Sequence, residues 1–308
     1  MALLSELGSY PKRTTRVTVR LGEESDLIVI VADASEPDLN GFMAIIFDDQ
    51  SIATSEVLSR GPPVIKVPDE RKRAFVVTGR KVGMTSARIS LATRKNFVNL
   101  GEIEVVVGRH NDKDVDLFYV GKYLVWQQSL PPDVGTDPLI FAASSGRVIQ
   151  IAAAQNNSNE GPVPTGKYRI LAQFDPQQTT YDQANALLKN GEDSVTGPYK
   201  NFRQGIQRLP VTPDGSPHSP AWGENRVRME PLFKVPADRG GFYLHDSHKG
   251  STSGCIEVRR IASNGSRMLF FDALAKYASG GGAAKKAYLI LKVVYRSDVT
   301  RTDGDTLE

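Results

Sequence analysis

The sequence predicts a mainly β protein in two parts, a β-sandwich over residues 1–109 and a second, mostly β part over residues 110–308 with one or two short helices. Three observations carry this. Short alternating or wholly apolar runs recur through the first part, punctuated by Gly, Pro, Asp or Asn, with no long helical period between them. A charged break, Arg109-His110-Asn111-Asp112-Lys113-Asp114, then interrupts the pattern; the plainer alternative is a polar hairpin inside one domain. Beyond it strand-like runs resume, and helical spacing is confined to Tyr181–Lys189 and Ser266–Tyr277.

In chain order, Arg16–Arg20 alternates as RVTVR, a turn at Gly22-Glu23-Glu24 follows, and Leu27–Val31 reads LIVIV, a run suited to a buried strand. Further strands are expected at Phe42–Phe47, Val64–Val67, Ala74–Thr78, Ala87–Ala92 and Glu102–Val107. The segment from Lys81 to Ala87, followed by Leu100–Val107, resembles the end of bacterial Ig-like domains, which implies an Ig-like sandwich.

In the second part, Asp116–Tyr119 and Tyr123–Gln127 flank Val120-Gly121-Lys122, which predicts a hairpin. Phe141–Gly146 forms a strand ending in a Ser-Ser-Gly turn. Pro164 and Gly166 then fix a turn, and Tyr168 and Ile170 share one face of the strand that follows. Between Asp175 and Pro220 the chain is rich in Gln, Asn, Pro and Gly; its aromatic residues Tyr181, Tyr199 and Phe202 favour a structured cap over the site. Alternation from Trp222 to Met229 sets Arg226 and Arg228 on one strand face, where either can pair with a substrate carboxylate, although a solvated arginine is the plain alternative. The apolar stripe Leu269, Phe270, Ala273, Leu274 and Tyr277 marks a core-facing helix that stops before Gly280-Gly281-Gly282. Ala287–Tyr295 reads as a central strand, and the polar tail 297–308 as disordered.

Chemistry concentrates in Gly241–Arg259, GFYLHDSHKGSTSGCIEVR, which combines the sole cysteine with two of the four histidines. His245 closes one strand, Cys255 opens the next, and the intervening DSHKGSTSG is small, polar or charged, so two adjacent strand ends bring imidazole and thiol together. A free thiol is mostly protonated near neutrality, and a neighbouring imidazole can take the proton to leave a nucleophilic thiolate. Gly254 lets the backbone turn its N–H groups toward an oxyanion, with Ser251, Thr252 and Ser253 as further donors. The bland reading is a packing cysteine beside a satisfied histidine.

The segment resembles the signature of the L,D-transpeptidases of the YkuD-type fold, matched at Leu244-His245 and at Thr252-Ser253-Gly254-Cys255-Ile256. It departs from that signature at Ser253, where the family has a second His, at Glu257, where it often has Arg or Asn, and in its short His-to-Cys loop. These departures are similar to the L,D-transpeptidase-like toxins of type VI secretion systems. Pro164-Thr165-Gly166-Lys167-Tyr168 likewise resembles the strand entry ahead of the family's catalytic motif. The resemblance implies an L,D-transpeptidase-like domain with Cys255 as nucleophile, His245 as base, and Gly254 and Ser253 at the oxyanion. Asp246, Ser247 or a backbone carbonyl orients His245, and His248 is an alternative base. Thr252, Ser247, Tyr243, Arg226 and Arg228 contact the substrate, peptidoglycan stem peptides, and no cofactor is needed. An immunity protein and a component of the secretion machinery are the implied partners.

Composition limits the alternatives. At 308 residues, 40% hydrophobic and 24% charged, the chain can bury a sizeable core. A formal net charge of +3 gives no ground for nucleic-acid binding. One cysteine excludes an internal disulfide and any cysteine-cluster metal site, and His110 and His218 stand apart from carboxylate clusters, so no metal is expected. No run is long and apolar enough to span a membrane, and Met1-Ala2-Leu3-Leu4, broken by Ser5, Glu6 and Gly8, is no secretory signal. A housekeeping cell-wall enzyme is expected to carry such a signal, so the sequence favours synthesis in the cytoplasm and action in the periplasm or cell wall, as a delivered effector. A housekeeping periplasmic enzyme, and a cell-wall-binding module with an inactive enzyme-like domain, are the competing readings.

Overall fold

The computed structural model describes residues 16–25, 28–31, 42–57, 72–92, 97–147, 149–158, 160–191, 205–236, 239–247, 249–260, 268–280, 285–298 and 300–302. The chain divides into two compact units, Met1–Asn111 and Asp112–Glu308, and strands dominate both.

The first unit holds seven strands among its described residues: β1 (Arg16–Arg20), β2 (Ile28–Val31), β3 (Phe42–Phe47), β4 (Ala53–Val57), β5 (Lys72–Gly79), β6 (Gly83–Ala92) and β7 (Phe97–Gly108). They form a sheet of order β1-β7-β6-β3 and a second of order β2-β5-β4. In β1 the valines are buried and the arginines and threonine exposed, as the alternation predicts. Val64–Val67 lies outside the described residues. The sequence reading missed β4, because ATSEV is an edge strand with little apolar signal. His110 is less isolated than expected: its Nε2 lies 2.9 Å from the Leu21 carbonyl and its Nδ1 3.6 Å from Glu23 Oε1. No group of three or more metal-binding side chains accompanies it among the described residues.

In the second unit, β8 (Leu117–Tyr119) and β9 (Tyr123–Trp126) make the expected hairpin, and both are buried along their length. The remaining strands are β10 (Leu139–Gly146), β11 (Gly166–Leu171), β12 (Ile206–Arg208), β13 (Asn225–Pro231), β14 (Tyr243–His245), β15 (Thr252–Val258) and β16 (Tyr288–Val293). The order is β11-β16-β8-β9-β10-β15-β14-β13-β12, and β11 also pairs with β13. One edge of β13 is therefore shared: Asn225 to Val227 pair with β12, and Met229 to Pro231 with β11. That second pairing closes eight strands into a barrel-like ring, with β12 outside the closure.

The core of the ring includes Trp126, Phe141, Tyr168, Ile170, Leu244 and Ile256. Helix α1 (Tyr181–Lys189) has the predicted bounds, and its N-terminus is fixed by a capping box between Thr180 and Gln183. Helix α2 (Phe270–Ser279) lays its apolar stripe on that core: Phe270 meets Phe141 edge-on at 5.4 Å, and Tyr277 meets Trp126 at 5.8 Å. Each such buried aromatic contributes about 1.5–3 kcal/mol of apolar burial.

Of the expected cap, α1 and β12 are described, whereas Tyr199 and Phe202 lie outside the described residues. Tyr181 donates to Glu224 Oε2 at 3.2 Å and lies 5.4 Å from the Arg208 guanidinium, which ties this region to the start of β13. The expectation of a disordered tail fails for residues 297, 298 and 300–302. Arg301 bridges Ile151, and Thr302 is wholly buried, with its Oγ1 donating to the Ser145 carbonyl at 2.6 Å and its own carbonyl accepting from the Ser145 N–H at 2.8 Å. The polar composition gives no sign of this, because the partners that order the segment come from Ser145 of β10 and from residues 150–153. Residues 303–308 lie outside the described residues.

Candidate active site

Strands β14 and β15 run parallel, with Leu244 opposite Ile256 and His245 opposite Glu257. Leu244, Ile256 and Val258 belong to the core of the ring, so alternation turns Tyr243, His245, Cys255 and Glu257 to the other face. The neighbouring registers, Gln207 with Arg226, Arg226 with His245 and Ser144 with Glu257, extend this face sideways. The result is a row of five polar residues across five strands, Gln207, Arg226, His245, Glu257 and Ser144, all buried. Cys255 lies beside this row, next to Tyr243.

Thiol and imidazole thus share one face of adjacent strands, but no hydrogen bond joins them. The Cys255 thiol donates to the Gly241 carbonyl, with sulfur and oxygen 3.8 Å apart, and the Tyr243 N–H approaches the sulfur. The imidazole packs against Trp222, with ring centres 5.4 Å apart, and its buried Nδ1 has no hydrogen-bond partner. Burial lowers the His245 pKa to about 3, assisted by the Arg226 charge. Burial also pushes the Cys255 thiol up to about 11, against the opposing pull of the Tyr243 N–H, Arg226 and Arg239. Both groups are therefore neutral at pH 7, with no resting thiolate–imidazolium pair.

Arg226 is held edge and face. Its Nε donates to Gln207 Oε1 at 2.7 Å, and its guanidinium carbon lies 4.9 Å from the ring centres of both Trp222 and Tyr243. Gln207 is itself fixed, donating to Gln178 Oε1 at 2.7 Å and to Asp175 Oδ2 at 3.1 Å. Arg228 shares the strand face of Arg226, but it lines a cavity of about 20 Å³ with Arg169, Glu230 and Tyr288 that neither Cys255 nor His245 enters.

The structure corrects the expectation that Asp246 or Ser247 orients His245. Asp246 Oδ1 accepts from the N–H groups of Glu224 and Asn225, both at 2.8 Å, and its Oδ2 accepts from Asn225 Nδ2 at 2.7 Å. This carboxylate closes the turn ahead of β13. Gly223 has φ 76° there, and a Cβ on it would lie 2.3 Å from Asp246 Oδ1. Ser247 instead donates to Glu257 Oε2 at 2.5 Å, and Gly250 N–H donates to Glu257 Oε1 at 2.7 Å. Glu257, the residue that departs from the family signature, therefore clips the loop between β14 and β15. His248, within that loop, lies outside the described residues.

Around the nucleophile, Ser253 is exposed, whereas Thr252 is buried and donates its hydroxyl to the Cys255 carbonyl rather than facing a ligand. Ser145 Oγ donates to the same carbonyl at 2.7 Å. Gly254 adopts φ 89°, which favours glycine, and a Cβ there would lie 2.7 Å from Arg239 Nη2. Arg239, Gln207 and Trp222 went unrecognised as site residues. Pro236-Ala237-Asp238-Arg239-Gly240 reads as an exposed polar turn, and Gln207 carries no local signal, but a tryptophan directly before a glycine turn was a usable one.

No protein-family model matches the chain, and no curated protein does. Among solved structures, domains 4 and 5 of the S-layer protein SbsC match with 19% identity over 35% of this chain and 47% of theirs, at a TM-score of 0.24. This chain thus spans less than half the length of that structure. A longer SbsC fragment, rSbsC(31-844), matches with 17% identity over 46% of this chain and 16% of its own, at 0.25. The L,D-transpeptidase LdtMt1 in complex with imipenem matches with 12% identity over 95% of this chain and 100% of its own, again at 0.24. TM-scores this low do not define a shared fold, and no family membership follows from them.

Proposed function

We propose that the chain is a cysteine-dependent acyltransferase acting on peptidoglycan stem tetrapeptides, as an L,D-transpeptidase, L,D-carboxypeptidase or D-amino-acid exchange enzyme. The observation that carries this reading is the parallel register of β14 and β15, which sets His245 and Cys255 on one face with Gly254 in a left-handed conformation beside them. Nδ1 of His245, buried and without a partner, is the proton acceptor. It takes the Sγ proton as sulfur attacks the carbonyl carbon between the L-centre and the D-residue. The tetrahedral oxyanion is met by the N–H groups of Gly254 and Cys255, with Ser253 at the exposed edge. Collapse expels the D-residue's amine, which leaves with the proton from the imidazolium, and a thioester remains. An incoming amine then gives transpeptidation or exchange, and water gives carboxypeptidase cleavage. Because both groups are neutral at rest, proton transfer is coupled to substrate binding. The Arg226 guanidinium, fixed between Trp222, Tyr243 and Gln207, is suited to a substrate carboxylate.

The reading extends to an antibacterial type VI secretion effector acting in the periplasm of a target cell, with an immunity protein as its inhibitor. The N-terminal unit, read as an Ig-like sandwich, serves docking on the delivery machinery or the wall. Expression in a susceptible Gram-negative host, once in the cytoplasm and once with an added periplasmic signal, tests this extension. Toxicity of the periplasmic form alone, lost in Cys255→Ala, supports it; harmless periplasmic expression of active enzyme favours a maintenance role.

One observation favours the inactive module: the resting thiol is buried, protonated and not hydrogen-bonded to His245. Incubation of stem tetrapeptides with wild type and Cys255→Ala, following loss of the terminal D-residue by mass spectrometry, separates the two. Turnover in wild type alone supports the enzyme, and equal activity in the variant overturns it.

A further inference from the structure

Among the described residues, Arg239 is a buried cation without a carboxylate partner. Its Nη1 donates to the Asn157 carbonyl and its Nη2 to the Pro162 carbonyl at 2.6 Å, with the Gly161 carbonyl 3.5 Å from both nitrogens. Among the described residues no carboxylate pairs with it. Carbonyl oxygens satisfy its N–H groups but not its charge, and a buried charge is costly unless something of opposite sign accompanies it.

Three acids lie within electrostatic reach of this guanidinium: Tyr168 from β11, Tyr295 from the segment after β16, and Cys255 from β15. The phenols are committed as neutral donors. Tyr168 gives its hydroxyl hydrogen to the Pro164 carbonyl at 2.8 Å and Tyr295 to the Val163 carbonyl at 2.7 Å, and burial holds both well above their ordinary range. That leaves the thiol as the acid that chemistry makes anionic. The approach is built into the backbone: Nη2 occupies the space that any side chain at the residue preceding Cys255 would fill. Arg226 on β13 acts on Cys255 more strongly than Arg239 does and is tied to Gln207, so Arg239 is the second of two cations near the thiol.

We propose that Arg239 is a positioning residue that supplies a second counter-charge, beside Arg226, for the Cys255 thiolate, and that Gly254 is glycine partly to admit it. The proposal rests on Cys255 being the nucleophile, but its test reads the thiol directly and needs no substrate.

The chain has one cysteine, so ¹³Cβ labelling gives a single resonance whose shift follows thiol ionisation. The midpoint is measured in full-length wild type, Arg239→Met and Arg239→Lys, with thermal unfolding confirming that each is folded. Arg239→Met is expected to raise the midpoint by about one pH unit, a roughly tenfold smaller thiolate fraction at any lower pH. Arg239→Lys should restore most of the difference, although it cannot reproduce the fork of carbonyl contacts. A purely structural Arg239 would instead lower stability in both variants and leave the midpoint where it was. A folded Arg239→Met with an unchanged midpoint overturns the proposal. If Arg239→Met does not fold, Gly254→Ala is read in its place: the added methyl displaces the guanidinium and must raise the midpoint, and an unchanged value overturns the proposal equally. Failure of the enzyme reading would appear separately, as equal turnover by wild type and Cys255→Ala.

Discussion

Two buried polar centres in the second unit make opposite use of their surroundings. Asp116 is fully enclosed and fully matched: its Oδ1 accepts from Ser129 Oγ at 2.6 Å and Lys286 Nζ at 2.7 Å, and its Oδ2 from the Ile290 N–H at 2.9 Å. It ties β16 to the start of β8. His245 and Cys255 are buried too, yet Nδ1 of the imidazole has no partner and the thiol has a 3.8 Å contact to a carbonyl. Burial alone therefore does not single out the proposed site in this molecule; His245 and Cys255 differ from Asp116 in how little of their hydrogen-bonding capacity is met.

Exchanging losses between the two centres is the strongest way to break this comparison. Cys255→Ala should abolish turnover, by a factor of about 10³ or more, while shifting the melting temperature by no more than about 2 °C. Asp116→Ala should do the reverse, costing about 3 kcal/mol because Lys286 and the Ile290 N–H lose their acceptor. Thermal unfolding with turnover of stem tetrapeptides reads both. A Cys255→Ala protein as destabilised as Asp116→Ala would make the thiol a packing residue.

Asp246 belongs with Asp116 by this criterion, although the sequence argument set it beside the base. Asp246→Ala is expected to cost about 2 kcal/mol in urea unfolding through the three lost hydrogen bonds. Activity per folded molecule should fall far less than in His245→Ala; an equal fall would return Asp246 to the catalytic group.

The pH dependence of stability sharpens the contrast. His245 has a folded pKa of about 3 against an ordinary 6.5, so between these values the unfolded chain binds the extra proton. Stability should then fall on acidification through this window, by up to about 1.4 kcal/mol per pH unit. Cys255 is displaced the other way, from 9.0 to about 11, so its contribution is complete below pH 9 and is lost as pH rises toward 11. Melting temperatures across both windows should flatten on the acid side in His245→Gln and on the alkaline side in Cys255→Ala. The smallest expected effect is that of a chelator, which should leave turnover unchanged where thiol alkylation removes it; the reverse pattern would replace the thiol mechanism by a metal-dependent one.

What could be read from the sequence was local. Alternation located β1, an apolar run located β3, a Gly-centred turn between two runs located the β8–β9 hairpin, helical spacing located α1, and the small polar loop between two strand-like segments singled out His245 and Cys255. What could not be read was long-range pairing. Closure of the ring depends on β11 meeting both β13 and β16, and no pattern within β11 announces two partners. For the same reason nothing local to Arg239 singles it out, since the carbonyls that receive it, Asn157, Gly161 and Pro162, lie about eighty positions earlier. Asp246 misled through adjacency: although it is next to His245 in sequence, its carboxylate bonds Glu224 and Asn225 at the start of β13, not the imidazole.

The contact between Thr302 and Ser145 bears on the order in which the protein becomes competent. Ser145 holds the Cys255 carbonyl through its hydroxyl, and its own backbone N–H and carbonyl are both engaged by Thr302. During synthesis residue 302 leaves the ribosome after every strand of the ring, so the clasp behind the nucleophile closes only once the rest of the ring is available to receive it. A nascent chain halted after β16 would hold all the residues of the proposed chemistry and still lack this last brace, which makes assembly of the site a late event in folding rather than an early one.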